Sequence, residues 1–168
     1  MRTIVITSVT GFDHLTPDGH PERVARLEAV SRALVPLSPR EASPATREAL
    51  VRVHDAAHID RVFAASPSEG HVSLDADTWM SPGSLKAALH ACGAVIEGVD
   101  AVLDGEAEAV FAGCRPPGHH AEPDRAMGFC LFNQIAVGAL HALEARGLER
   151  VAIVDIDVHH GNGTQATA

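Results

Sequence analysis

The feature that most constrains the fold is an apolar run ending in acids and imidazoles, VAIVDIDVHHGNG, at residues 151–163. Its β-branched residues favour a buried strand. Asp155, Asp157 and His159 occupy alternate positions, so they would share one face of an extended chain. Open α/β sheets bind their ligands just beyond the carboxyl ends of the strands. The sequence therefore predicts a strand over Val151–Ile156 that carries a ligand-binding cluster at its end.

Strands and helices alternate along the rest of the chain, which indicates an α/β fold with a parallel sheet. Two further strands are predicted at Thr3–Ser8 and Ala109–Cys114. Apolar residues at three- and four-residue spacing predict helices. One has Pro21 in its first turn and an inward face of Val24, Leu27, Val30 and Leu34; a short one follows with Ile59, Val62 and Phe63 inward. A long helix begins after an N-cap at Ser81 and Pro82 and buries Leu85, Leu89, Cys92, Ile96, Val99 and Leu103, and a last helix runs from about Phe132 to Gly147.

Composition excludes some classes of partner. The chain has 168 residues, enough for one domain with a buried core, and its formal net charge is −9. Nucleic-acid and anionic-membrane surfaces need clustered lysine and arginine, so neither is expected. Cys92, Cys114 and Cys130 are an odd number at unremarkable spacing and are expected to be buried thiols in a reducing compartment. We therefore expect a cytoplasmic protein without a membrane span.

A second polar cluster, CRPPGHHAEPDRAMGFCLFN, also follows a predicted strand. Its prolines and glycine at 116–118 stiffen the backbone, which suits a loop that must hold side chains in place. His119 and His120 are two imidazoles that different neighbours could turn into an acid and a base. Gly128 and Phe129 are candidates for a pocket wall. The Asp-x-His pair in the first cluster offers one oxygen and one nitrogen to a cation such as zinc.

Each of these signals alone has a more ordinary interpretation. A His-His pair is more often a surface turn, an Asp-x-Asp pair is commonly a solvated strand end, and a phenylalanine is more often part of the core. The coincidence favours function, because both clusters follow predicted strands and together hold four histidines and two aspartates at metal-ligand spacing, Asp155 and Asp157.

Four stretches, GHPER…RLEA, DTWMSPGS, RPPGHHAEPDRAMGFCLFN and VDIDVHHGNGTQ, run in order from Gly19 to Gln165. They resemble the histone deacetylase and acetylpolyamine amidohydrolase family, particularly its class II and bacterial members. The resemblance implies the arginase/deacetylase-like fold, a parallel sheet flanked by helices. It also implies zinc-dependent hydrolysis of an acetylated amine, either acetyl-lysine in a protein or an acetylated polyamine.

The resemblance also implies a role for individual residues. Near the reacting centre, Asp157 and His159 would be two zinc ligands. His120 would be the main general base and acid, with His119 as its electrostatic helper. Asp155 would be the partner of His119, and Asn162 the partner of His120. Asp155 and Asp157, with the His159 carbonyl, also resemble part of a potassium site. Substrate-binding residues would be Gly128 and Phe129 in the tunnel wall and Asp77 at the rim.

Two departures from the family pattern stand out. Gln134 replaces a second asparagine after "FN". Relatives continue after HGNGTQ with a third zinc carboxylate, a glycine-rich loop and a carbonyl-polarising Tyr or His, whereas this sequence ends at Ala168 and contains no tyrosine. The resemblance therefore implies that residues 1–168 are the N-terminal portion of a single domain, C-terminally truncated and inactive by itself.

Other functions remain open at this level. The chain could be a non-catalytic remnant or a partner-binding fragment, and uncovered strand edges would make it a possible oligomer. A manganese ureohydrolase shares the implied fold, but the RPPGHH and HHGNG motifs disfavour it.

Overall fold

The computed structural model describes residues 2–168. This part of the chain contains the strands β1 (Thr3–Thr7), β2 (Arg40–Glu41), β3 (Val72–Ser73), β4 (Trp79–Met80) and β5 (Ala109–Gly113). Its α-helices are α1 (Val24–Leu34), α2 (Arg47–Leu50), α3 (Ala56–Ala65), α4 (Ser84–Leu103), α5 (Gln134–Leu140) and α6 (Asn162–Thr167). The predicted α/β class with a parallel sheet is confirmed: β2, β1 and β5 pair in that order, all parallel, while β3 and β4 form a separate hairpin.

Helices α1 and α4 cover opposite faces of the three-stranded sheet. A Cβ added to Gly98 of α4 would meet Val110 of β5 at 3.1 Å, whereas one added to Gly113 of β5 would meet Leu34 of α1 at 3.1 Å. Positions 110 and 113 are an odd number of residues apart, so they face opposite sides of the strand. The loop that follows β5 thus leaves from between two helical layers.

Helix α4 is held close to its neighbours by small residues. Its fully buried residues are mainly alanines and glycines, where sequence periodicity predicts a stripe of larger ones. Gly93 shows why: a Cβ there would lie 1.8 Å from the carbonyl oxygen of Ser43. Leu85, Leu89 and Ile96 are only partly buried, and they pack against the main core cluster.

The main core lies among α2, α3, α4 and α5 rather than against the sheet. Its buried members are Ala45, Ala49, Leu50, Val53, Ile59, Val62, Met80, Ala88, Cys92, Leu131, Phe132, Ala136 and Val137. A smaller cluster of Ile6, Ala42 and Ala94 joins β1 to α4. The loop that carries His119 and His120 therefore ends in the core, at Leu131 and Phe132.

Several helix predictions need correction. Val30 of α1, Phe63 of α3 and Leu103 of α4 are each 38–39% exposed, because no element among residues 2–168 covers the outer edge of those faces. Helix α1 begins at Val24, after Pro21, and α4 begins at Ser84 with Gly83 as its N-cap. The helix predicted from about Phe132 begins at Gln134 with Asn133 as its cap, runs through a π-helical turn over His141–Ala145, and ends near Gly147.

The strand predicted over Val151–Ile156 is wrong as a paired strand. Those residues form no ladder with β5 or β1. Side chains nevertheless alternate as in an extended chain: Val154, Ile156 and Val158 are 84%, 94% and 93% exposed, while Asp155 points to the opposite side. A strand needs a neighbour for its backbone groups, and residues 2–168 provide none here.

The structure bears on two expectations drawn from composition, which concern the cysteines and membrane-spanning helices. Cys92 and Cys130 are buried and Cys114 is half-buried, and all three are free thiols. Burial raises the pKa of the Cys114 and Cys130 thiols to about 12. Across residues 2–168, every helix is too short or too polar to cross a bilayer.

Candidate functional site

The loop that carries the paired histidines is anchored by a buried ion pair. Arg115 Nε and Nη2 donate to the two carboxylate oxygens of Glu22 over 2.5 and 2.6 Å, and Nη1 donates to the Gly11 carbonyl over 2.7 Å. Glu22 is 0% exposed and Arg115 is 5% exposed. This bidentate pair fixes the start of the loop against the segment that precedes α1.

His14 extends the ion pair toward α4. Its Nε2 lies 3.2 Å from Glu22 Oε2, and its Nδ1 lies 2.7 Å from Ser84 Oγ at the start of that helix. Burial by itself raises the pKa of Glu22, but hydrogen bonds from His14 and Arg115 outweigh it and lower that pKa to about 2. Glu22 is therefore ionised at neutral pH, and its charge is matched on the arginine.

The two adjacent histidines are held by different partners. Their ring centroids lie 4.0 Å apart. His119 Nδ1 lies 2.8 Å from Asp155 Oδ2, whereas His120 Nδ1 lies 2.7 Å from Asn162 Oδ1. A carboxylate can only accept, so His119 donates through Nδ1. That bond from His119 and one from the Asp157 amide hold the pKa of Asp155 below its usual value.

Asn162 sits at the first turn of α6 and has four contacts. Its Nδ2 donates to Glu122 Oε1 over 2.7 Å, to the His120 carbonyl over 3.3 Å, and toward Met127 Sδ at 3.4 Å, while its Oδ1 faces His120 Nδ1. Arg125 holds the other Glu122 oxygen, with Nε at 3.1 Å and Nη2 at 3.0 Å. The helix and the loop are thereby joined through one amide side chain.

Asp157 and His159 lie next to the histidine pair. Asp157 Oδ1 accepts from the His159 amide over 2.8 Å and lies 3.0 Å from His159 Nδ1. The His159 amide holds the pKa of Asp157 below its usual value. The His120 and His159 ring centroids are 6.1 Å apart. Both candidate zinc ligands are substantially exposed, and an open cleft of about 290 Å³ borders His119, Asp155 and Asp157.

The donor set is chemically suited to zinc but small. A carboxylate oxygen and an imidazole nitrogen, separated by 3.0 Å, can contact one ion together. Within residues 2–168, no group of three or more His, Cys, Asp or Glu side chains is arranged to hold a metal ion. Asp157 and His159 can therefore supply two ligands of such a site.

Gly128 packs against the His120 ring, and Phe129 follows it in the chain. Both have positive φ, 57° and 71°. The Phe129 amide donates to Thr78 Oγ1 over 3.0 Å, and its ring meets the His20 ring edge-on, with centroids 4.8 Å apart. Phe129 is thus held from the β3–β4 hairpin and from the segment before α1.

Asp77 lies in the turn between β3 and β4, with its carboxylate at the surface. Asp75 Oδ1 accepts from the amides of Asp77 and Thr78 over 3.0 and 2.8 Å, which fixes the turn. His20 Nε2 lies 3.0 Å from the Asp77 carbonyl oxygen. Asp77 and Phe129 therefore both contact the imidazole of His20.

The structure brings together all the residues that the sequence singles out near the reacting centre: His119, His120, Asp155, Asp157, His159 and Asn162. Sequence reasoning missed the supporting residues Glu22, Arg115, Glu122, His20 and Asp75. Two of them lie in the GHPER stretch and one directly follows GHHA, so their positions were visible. Their roles depend on contacts between distant segments, which periodicity does not report.

Replacing Gly128 with alanine is expected to destabilise the fold and displace His120. The new Cβ would lie 2.5 Å from His120 Cδ2 and 2.6 Å from Cγ. Left-handed backbone costs a non-glycine residue about 1–2 kcal/mol, and overpacking adds about 1–3 kcal/mol. Urea denaturation of the variant should show the sum as a lower free energy of unfolding.

Gly70→Ala is the matched control for that substitution. Gly70 has a similar φ of 64°, but a Cβ there would meet no atom within 4 Å. It should therefore show the backbone cost alone. Equal destabilisation of the two variants would contradict the packing of Gly128 against His120.

Comparison with known proteins gives a consistent picture. The profile of the histone deacetylase domain family matches residues 20–168. The chain is 49% identical over 150 residues to a histone deacetylase-like amidohydrolase of Pseudomonas aeruginosa, covering 87% of this chain and 39% of that protein. It is 40% identical over 170 residues to a probable deacetylase of Methanothermobacter thermautotrophicus, covering 97% and 50%.

Solved structures show the same fold. The crystal structure of the HDA15 HD domain superposes with a TM-score of 0.91 at 37% identity, covering 99% of this chain and 50% of that one. The chain spans about half the length of the curated relatives that it matches.

Proposed function

Because the chain belongs to the histone deacetylase family, we propose that it takes part in hydrolysing an acetylated amine. The substrate would be acetyl-lysine in a protein or an acetylated polyamine. The observation that carries this proposal is the pair His119–His120, each Nδ1 bonded to its own partner, beside Asp157 and His159. Residues 1–168 would supply the N-terminal portion of a single catalytic domain.

Zinc is the proposed metal, with Asp157 and His159 as two of its ligands. When bound, it would polarise the acetyl carbonyl and acidify a water molecule. Asp155 is the proposed contributor to a separate potassium site; its Oδ1 already accepts from the Asp157 amide.

His120 is the proposed general base and acid. Its Nδ1 is bonded to Asn162, which leaves Nε2 to accept a proton from water and later to donate it to the departing amine. His119 would stabilise the developing negative charge from the neighbouring ring. Asp155 keeps the His119 ring oriented through Nδ1.

Substrate binding is proposed for the wall and the rim. Gly128 packs closely against His120, and the neighbouring Phe129 ring would supply an apolar surface for an extended acyl chain. The surface carboxylate of Asp77 would accept hydrogen bonds from a peptide backbone, or attract the remaining ammonium groups of a polyamine.

A polypeptide of these 168 residues is expected to bind zinc weakly. Losing even a residue that only hydrogen-bonds a metal ligand costs about 10–100-fold in affinity, so a site with two protein ligands should be at least ~100-fold weaker than one with three. Calorimetric titration would measure this, with Asp157→Ala/His159→Ala as the control that removes the remaining binding. One tight zinc site per monomer would contradict the expectation.

The proposed function is tested in a fused chain. Residues 1–168 would be joined to the C-terminal part of the Pseudomonas aeruginosa relative, and turnover measured on an acetyl-lysine peptide and on acetylated polyamines. Zinc-dependent turnover that chelation abolishes is the expected result. A fused chain that binds zinc without turning over either substrate class would instead support a non-catalytic, partner-binding role.

A further inference from the structure

The amide of Asn162 has two ends, and only one of them suits a base at His120. An amide oxygen facing Nδ1 requires a proton on that nitrogen, which leaves Nε2 free to accept. An amide nitrogen facing Nδ1 would require the opposite tautomer and block Nε2 with a proton. His119 has no such ambiguity, because both ends of the Asp155 carboxylate accept. Some other group must therefore decide which way Asn162 points.

Glu122 is placed to make that decision. Its Oε1 lies 2.7 Å from Asn162 Nδ2, and its Oε2 is held by Arg125. A carboxylate accepts only, so the nitrogen end of the amide must face Glu122 and the oxygen end must face His120. The hydrogen bonds from Asn162 and Arg125 also hold the pKa of Glu122 below its usual value, so it remains a carboxylate at neutral pH.

We propose that Glu122 is a positioning residue: through Asn162, it sets the neutral His120 ring to the tautomer that carries its proton on Nδ1. The relay runs from Arg125 to Glu122, to Asn162, to His120. The proposal rests on the proposed function only because that function requires this tautomer. The contacts among the four side chains do not depend on it.

The test is the tautomer of His120, read by ¹⁵N NMR of histidine-labelled protein at about pH 8, above the ordinary histidine pKa of ~6.5. Protonated and bare ring nitrogens resonate in well-separated regions, and loss of signals in His120→Gln identifies the residue. The full 168-residue chain is expected to show His120 protonated on Nδ1. His119 should show the same tautomer and serves as an internal control.

Glu122→Gln is expected to reverse the tautomer. Arg125 would hold the glutamine oxygen, which turns the glutamine nitrogen toward Asn162. The asparagine would then present its oxygen to residue 122 and its nitrogen to His120, and the proton would move to Nε2. His119 should not change.

The double variant Glu122→Gln/Asn162→Asp is the charge-matched rescue. It exchanges an acid and an amide without altering net charge, and the new carboxylate at 162 can only accept from His120. The Nδ1–H tautomer should return. If the single variant fails to fold, Glu122→Ala provides the second test, with a mixture of tautomers expected because only the longer bond to the His120 carbonyl, 3.3 Å, then favours one end of the amide.

The outcomes separate the two proposals. An unchanged His120 tautomer in Glu122→Gln, or in Glu122→Ala, overturns the relay whatever the fused chain does. In the fused chain, Glu122→Gln should lower kcat with KM unchanged, by at least about 10-fold out of the ~10²–10⁴-fold that a general base contributes, and the double variant should recover it. A reversed tautomer with unaltered kcat would leave the relay standing and remove His120 from the role of base.

Discussion

His120→Ala is expected to lower the kcat of the fused chain by about 10²–10⁴-fold, the usual contribution of a positioned general acid–base group. The alanine removes both the nitrogen that accepts the proton and the one that Asn162 orients. KM should change little, because His120 acts on the reacting atoms rather than on the rest of the substrate. Steady-state kinetics on an acetyl-lysine peptide would measure both constants.

Two further histidines serve as controls for that experiment. His119→Ala should cost less, since its proposed role is electrostatic support from the neighbouring ring. His71→Ala should leave the rate unchanged, because His71 is exposed just before β3 and makes none of the contacts described for the site. An unaltered rate in His120→Ala, or an equal loss in His71→Ala, would show that the paired histidines are not the catalytic groups.

Glu22→Gln is expected to lower the free energy of unfolding by about 3–5 kcal/mol, the cost of removing one partner of a buried ion pair. Glutamine preserves the shape but leaves the Arg115 guanidinium buried without a matching charge. It also weakens the contact with His14. Urea denaturation is the measurement.

Glu28→Gln provides the matched control for that variant. Glu28 lies on the exposed side of α1, so the same change of charge should shift the free energy of unfolding by less than about 0.5 kcal/mol. Comparable losses in the two variants would show that the charge at position 22 is not stabilising.

The same ion pair predicts how stability depends on pH. The pKa of Glu22 is about 2 in the folded protein, below its ordinary value of 4.5. An acidic group whose pKa is lower in the folded state than in the unfolded state stabilises the fold fully above its unfolded pKa. That contribution is lost as the pH falls through the folded pKa. The difference amounts to about 3 kcal/mol, so wild type should lose stability between roughly pH 4.5 and 2 more steeply than Glu22→Gln.

The sequence predicted the grouping of the polar side chains better than the strand pairing around them. Strands β1 and β5 followed from their β-branched runs. The pairing of Asp155 with His119 was implied by the family resemblance, and the two side chains are in contact in the structure. The Val151–Ile156 ladder could not be predicted in the same way. Pairing depends on a neighbouring strand, and hydrophobic pattern alone does not state whether one is present.

Supporting contacts were the hardest to predict. Glu22 and Arg115 are separated by 93 positions, and each looks like an ordinary surface charge in its own stretch. Only the folded chain shows that both are buried. The same holds for Glu122, which follows GHHA directly but acquires its meaning from Asn162, 40 residues later.

The unpaired segment over Val151–Ile156 has a kinetic consequence. Its backbone has no ladder to slow exchange, so its amides should exchange hydrogen for deuterium far faster than those of β1. The side-chain bond from His119 to Asp155 helps to hold the segment near the loop. Asp155→Ala should widen the fluctuations of Asp157 as well as free the His119 ring. The electrostatic support expected from His119 and the metal affinity expected at Asp157 should therefore decline together.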